Sequence, residues 1–228
     1  MKYFLINFYT CYLQQTWKRG IHLLKEHRSL IIFLLLFSIV LIWSAIHPHD
    51  RFTWWLEVIP ALLGVFILLL TYRFFQFTTL VYFLVLVHSS ILFIGGHYTY
   101  AEMPLFNWFR DIWDLDRNYY DRLGHFAQGF IPAIIIRELL IRTSPLRDSK
   151  WLPVTVICIC LAISATYELV EFTVALLTGE AAEAFLGTQG DVWDTQWDML
   201  LALIGSIISY ITLRIIHSRQ IQKIVTSE

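Results

Sequence analysis

The segment ATYELVEF, residues 165–172, carries two carboxylates, Glu168 and Glu171, three positions apart inside one of the longest apolar runs of the chain. On a helix that spacing puts both on one face. Two further stretches bring acidic or imidazole groups at helical intervals. In DRLGHFAQGF, Asp121, His125 and Gln128 fall at i, i+4 and i+7, within about 60° of one another on a helix surface. In GTQGDVWDTQWDML, Asp191, Asp194 and Asp198 fall at i, i+3 and i+7 and share a face on a helix that begins near Asp191. Capping of a helix N-terminus explains one such aspartate, and does not explain three with helical spacing.

Mostly carboxylate oxygens with one or two imidazoles form a ligand set for a divalent metal ion: Mn, Fe or Zn, or Mg or Ca where histidine stays out. The candidate ligands are His125, Glu168, Glu171, Asp194 and Asp198, with Asp121 and Gln128 orienting the imidazole. Asp191, His97, Arg122 and Glu102 are candidates for the surroundings of the ion or for contact with a substrate. A bound water would be the nucleophile. So many carboxylates cannot all ionise without compensation, which a cation, protons or Arg122 must supply. Protons shared among the glutamates, as in a proton-coupled carrier, account for the same residues. The set lacks the paired Glu-x-x-His of di-iron bundles, His-Glu-x-x-His, a nucleophile elbow and a phosphate-cradling glycine loop.

The elements that would position these groups are membrane helices. The chain has 228 residues, of which 57% are hydrophobic and only 15% charged, against about a quarter charged in a soluble domain. Nine Trp, eleven Tyr and seventeen Phe suit interfacial belts and large helix contacts. A net charge of −1 and the lack of a basic, aromatic-studded stripe exclude a nucleic-acid binder as the leading class. A bilayer core of about 30 Å takes about 20 helical residues. Six segments approach that length: 29–46, 55–73, 77–96, 119–141, 152–177 and 197–216. The fourth is the least apolar, because DRLGHFAQGF fills its first half.

Lys and Arg in the connections set orientation. With the N-terminus inside, thirteen fall on the inner side, and only Arg51, Arg110, Arg117 and Arg122 on the outer side. The expected fold is therefore all-α, a single polytopic membrane bundle of six transmembrane helices over residues 1–228, with both termini cytoplasmic. Residues 1–28 form a cytoplasmic or interfacial segment, with 3–17 as a short helix along the inner surface. The start reads as a retained anchor, not a cleavable signal. All three polar stripes then lie in the outer half of the bundle and converge there.

Glu168 sits about 14 Å below the outer end of its helix, at 1.5 Å per residue. A carboxylate at that depth costs on the order of 2.5–3.5 kcal/mol on insertion scales, so it needs partners inside the bundle. Pro132, four residues after Gln128, leaves the Gln128 carbonyl without its helical donor. Asp111, Asp114 and Asp116 read as solvated loop charges, His47 and His49 as loop residues, and His88 as a packing histidine. Arg137 and Glu138 read as snorkelling at the inner interface. Cys11, Cys158 and Cys160 read as packing residues, the last two pointing apart.

DRLGHFAQGFIPAIIIRELLIR, YELVEF and GTQGDVWDTQWDMLLALIGS together resemble the YjdF-type family of predicted bacterial inner-membrane proteins, over essentially the whole chain. The last stretch is also faintly similar to VanZ-like membrane proteins. The first resemblance implies a multi-pass protein of the bacterial inner membrane, among membrane lipids, and assigns no activity. The residues themselves lead to a metal-dependent membrane enzyme acting on a lipid-like or envelope substrate. The competing readings are a proton- or cation-coupled transporter and a non-catalytic assembly protein. A transporter needs a polar path toward the cytoplasm, and only Ser164, Thr155 and isolated groups such as His88 lie that way.

Overall fold

The computed structural model describes residues 27–179 and 183–226. The expected 3–17 helix, Cys11 and the first cytoplasmic cations lie outside them. Among the described residues there are helices and turns and no strand. In chain order these are α1 (Arg28–Ala45), α2 (Arg51–Thr71), α3 (Thr79–Tyr98), a 3-10 turn (Tyr100–Glu102), α4 (Pro104–Trp113), α5 (Tyr120–Thr143), α6 (Leu152–Thr178), the single turn α7 (Glu183–Leu186) and α8 (Asp194–Val225). Six of them, α1, α2, α3, α5, α6 and α8, are long and apolar enough to cross a membrane, and α5 is the least apolar.

Local chemistry explains most of the boundaries. The Asp50 carboxylate accepts the Thr53 backbone N–H at 2.6 Å, so α2 starts at Arg51, four residues before the apolar run suggested. Pro104 opens α4 and Pro153 lies in the first turn of α6, where a missing N–H costs nothing. Asp114 ends α4 in the left-handed region at φ 48° and Gly179 ends α6 at φ 59°. α8 runs 32 residues, well past the span expected at 197–216.

The connection between α3 and α5, whose Asp111, Asp114 and Asp116 read as solvated loop charges, contains α4. Its Leu105, Trp108, Ile112 and Trp113 are exposed, and the half-buried Arg110 pairs with the exposed Asp111 at 2.9 Å. That amphipathic pattern suits a helix lying along a membrane surface. Asp111, Asp114 and Asp116 are exposed, as expected. Cys158 is exposed on the outside of α6 and Cys160 is buried.

α1 and α2 pack on α3 around Phe33, Phe37, Trp54, Val58 and Phe93. The most extensive contact joins α5 and α8. It forms because small residues let the backbones approach: a Cβ at Gly129 would collide with the Ala202 carbonyl, and one at Gly205 with the Phe126 carbonyl. α6 completes that half by packing on both α5 and α8, while α3 meets α5 and joins the two halves.

Away from the α4 side, Arg137 and Glu138 correct the snorkelling expectation, since both are buried. Glu138 accepts from the Thr78 backbone N–H at 3.0 Å and the Thr78 hydroxyl at 2.7 Å. It also accepts from Arg142 at 3.0 Å and lies 2.8 Å from His217 Nε2. Arg137 donates to His217 Nδ1 at 2.9 Å and to Ser218 at 2.6 Å. This network caps α3 and ties it to α5 and α8. The charges stay inside because each has a partner there, which a span read in isolation does not reveal.

Candidate functional site

At the α4 end of the bundle, α5 presents Asp121, Arg122, His125 and Gln128, α6 presents Glu168 and Glu171, and α8 presents Asp194 and Asp198. All except Gln128 are buried to less than a tenth of their surface. Asp191 precedes α8, where it accepts the Trp193 backbone N–H at 2.9 Å. The expected helix start near Asp191 moves to Asp194, yet the three aspartates still meet the same partners.

Those partners are two arginines. Arg122 reaches Asp198 at 2.5 Å, Asp194 at 2.6 Å and Asp191 at 3.0 Å. Arg117 reaches the same Asp194 oxygen at 2.7 Å, Asp191 at 3.4 Å and the Gly187 carbonyl at 3.0 Å. Each also lies 3.7 Å from Asp121 Oδ2. Arg117, read from sequence as an outer loop cation, is only 5% exposed. Gln189 holds the approach to α5 in place by exchanging 2.9 Å bonds with the Asn118 backbone N–H and carbonyl.

His125 stands where the aspartates and glutamates meet. Its Nε2 lies 3.5 Å from Asp121 Oδ1 and 3.8 Å from Asp198 Oδ1. Its Nδ1 lies 3.1 Å from Gln128 Oε1 and 3.6 Å from Glu168 Oε1. Asp121, His125 and Asp198 each offer one atom within 4.8 Å of the others, in the arrangement of a metal site. Ligands on an ion at 2.0–2.2 Å stand about 3.4 Å apart in tetrahedral geometry, close to the 3.5 and 3.8 Å that separate His125 Nε2 from Asp121 Oδ1 and Asp198 Oδ1. Asp121 thus lies among the donor atoms, while Asp194 is taken up by both arginines. Glu168 and Glu171 face His125 from α6 as its electrostatic neighbours.

Sequence reasoning missed Glu57, Tyr100 and Tyr167. Glu57 falls near the outer end of the span expected at 55–73, but α2 carries it inward until it is 3% exposed, among Tyr100, Asp121 and His125. The Tyr100 ring fills a slot between α3 and α5 that exists because residues 95 and 124 are glycines: a Cβ at either would press on it. Burial, and then the nearby Glu57 charge, push the Tyr100 phenol well above its ordinary value, so it stays a neutral donor. His97 lies apart from the group, with Nδ1 3.0 Å from the Ser44 carbonyl and its ring 4.6 Å from that of Trp43. Glu102 is exposed beside Asn107.

Seven carboxyl groups (Glu57, Asp121, Glu168, Glu171, Asp191, Asp194 and Asp198) therefore meet two guanidinium groups and one imidazole. Glu57 Oε2, Asp121 Oδ2 and Glu168 Oε1 are buried with no hydrogen-bond partner among the described residues. Buried polar atoms are satisfied in the great majority of cases, so these oxygens mark room for a ligand. Glu57 and Asp121 line a cavity of about 550 Å³, whose polar end they form with Tyr100, His125, Tyr167 and Glu171. The rest is mainly apolar, Thr71, His88, Ser89 and Gln128 aside, and no Lys or Arg lines it.

A family model described as "Predicted membrane protein (DUF2238)" matches residues 29–219. The chain is 45% identical over 186 residues to "Inner membrane protein YjdF" of Escherichia coli (strain K12), covering 82% of this chain and 89% of that protein. No solved structure matches the chain.

Proposed function

The chain belongs to the DUF2238 family of predicted membrane proteins, and on that premise we propose that it is a metal-dependent enzyme of the bacterial inner membrane, acting on a lipid-like or envelope substrate. It is a multi-pass inner-membrane protein. Asp121, His125 and Asp198 hold a divalent cation, which supplies a polarised water or a Lewis acid at the polar end of the cavity. Gln128 fixes the imidazole, Arg117 and Arg122 hold Asp194 and Asp198 in position, and Glu57, Glu168 and Glu171 accept or return protons. The observation that carries this reading is the set of three buried donor atoms within 4.8 Å of one another, beside an Asp121 oxygen without a hydrogen-bond partner.

The distribution of Lys and Arg orients the α4 side outward and both termini toward the cytoplasm. On the cytoplasmic side of Gln128 the cavity lining is mostly apolar, which favours an enzyme over a proton-coupled carrier. Elemental analysis of the purified protein tests the proposal. About one divalent ion per chain is expected, together with its loss in Asp121→Asn combined with His125→Gln while the protein remains folded. A metal-free wild type after supplementation, or a double variant that keeps its metal, overturns it.

A further inference from the structure

The shape of the cavity specifies the substrate more closely than its polar end does. On α2 its lining runs from Glu57 to Thr71 and on α5 from Asp121 to Leu139, which at 1.5 Å per residue is about 21 Å and about 27 Å of helix. One leaflet offers about 15 Å of hydrocarbon, half of the bilayer core of about 30 Å. The cavity therefore passes the midplane and nearly crosses the membrane. The cavity volume of about 550 Å³ is spread over about 27 Å of helix, so the cavity is a long, narrow slot and not a rounded chamber. Acyl chains of the bilayer's own glycerophospholipids come in pairs and end near the midplane.

The slot is also reachable from the bilayer. α2 packs on α3 and α6 on α5, without an extensive contact between α2 and α6. The lips of that seam are exposed: Gly64 and Ile67 on α2, Ile163 on α6. A Cβ at Gly64 would meet nothing within 4 Å.

From this shape we infer that the cavity holds a single-chain lipid longer than one leaflet, of the polyisoprenyl class, which enters sideways between α2 and α6. Its hydrocarbon lies along α2 and α5, and its polar head meets Asp121 and His125. With no Lys or Arg lining the slot, a phosphate head is bound through the cation, and in that respect alone the inference rests on the function proposed above.

Native mass spectrometry of the delipidated, metal-loaded protein tests it. The protein is reloaded from phosphatidylethanolamine and phosphatidylglycerol vesicles, with or without a polyisoprenyl phosphate. Retention of one polyisoprenyl phosphate per chain is expected, at least tenfold above phospholipid at equal concentration. Gly64→Phe builds from a Cβ position with nothing within 4 Å, obstructs the mouth of the slot and should reduce retention at least fivefold, with metal content and melting temperature preserved. Ile163→Trp, at the opposite lip, is the second plug should Gly64→Phe not fold. Asp121→Asn with His125→Gln should lose metal and head-dependent affinity while still taking up the uncharged polyisoprenol, a pattern that separates failure of the metal centre from failure of the slot. Preference for phospholipid, binding of neither lipid, or retention unchanged in both plugged variants overturns the inference.

Discussion

Replacing Arg122 with Met is the sharpest perturbation of the acidic group. Arg122 is 8% exposed and donates to Asp198 at 2.5 Å, to Asp194 at 2.6 Å and to Asp191 at 3.0 Å. Methionine keeps much of the stem's packing and removes the charge. Asp194 and Asp191 still have Arg117, at 2.7 and 3.4 Å. Asp198, 2% exposed, then has no guanidinium partner among the described residues. Removing one partner of a buried pair costs about 3–5 kcal/mol, and the retained Arg117 contacts put this case near about 3 kcal/mol. For a chain of this size that is a fall of about 6–12 °C in melting temperature. In the metal-free protein, Asp198→Asn in the Arg122→Met background should recover at least about 1 kcal/mol, because the stranded charge is gone and the two sites are in contact. Equilibrium unfolding in mixed micelles, followed by Trp fluorescence, measures all four corners of the cycle. A single variant within about 1 kcal/mol of wild type, or strictly additive changes, would refute the assignment of Arg122 as the counter-charge of Asp198.

Three further outcomes follow from other parts of the bundle. Glu138→Ala strips the acceptor from the Thr78 N–H and from His217 and should cost about 3 kcal/mol or more, read in the same unfolding assay. Gly129→Ala drives a Cβ into the Ala202 carbonyl at the α5–α8 crossing and should destabilise by about 1–3 kcal/mol or more, whereas Gly64→Ala should not destabilise; size-exclusion profiles after heating distinguish them. Asp50→Ala should cost about 1 kcal/mol at neutral pH. The backbone N–H of Thr53 holds the Asp50 carboxyl below its ordinary value, so its stabilisation is complete above the unfolded value of about 3.9 and disappears as pH falls through the lower folded value. The gap between wild type and Asp50→Ala should therefore stay constant from neutral pH to about pH 5 and close below about 3.9, as followed by melting temperature against pH.

The stripes on α5, α6 and α8 were legible because helical periodicity is local: the spacing of Asp121, His125 and Gln128, or of Glu168 and Glu171, fixes a shared face before any packing is known. Their convergence followed from the alternation of spans. Glu57 was hidden by a boundary, since placing the second span at 55 made it a terminal residue. The signal was Asp50 three residues before Thr53, a capping arrangement that starts the helix earlier and carries Glu57 inward. Arg117 had no such signal. It lies in a loop, and its burial comes from Asp194 and Gly187, some seventy residues away. For Arg137 and Glu138 a correct position near a helix end suggested the interface, whereas their partners Thr78 and His217 belong to other helices. His97 has a side chain suited to the site and lies on the right side of the bundle, but its ring packs at a tilt against Trp43 instead.

Anomalous diffraction from crystals grown with manganese or zinc tests the central claim most directly. The account predicts one peak between α5 and α8, about 2.0–2.2 Å from Asp121 Oδ1, His125 Nε2 and Asp198 Oδ1, and its disappearance in Asp121→Asn. Peaks confined to the exposed carboxylates Asp111, Asp114 and Asp116, with none beside His125, would contradict it.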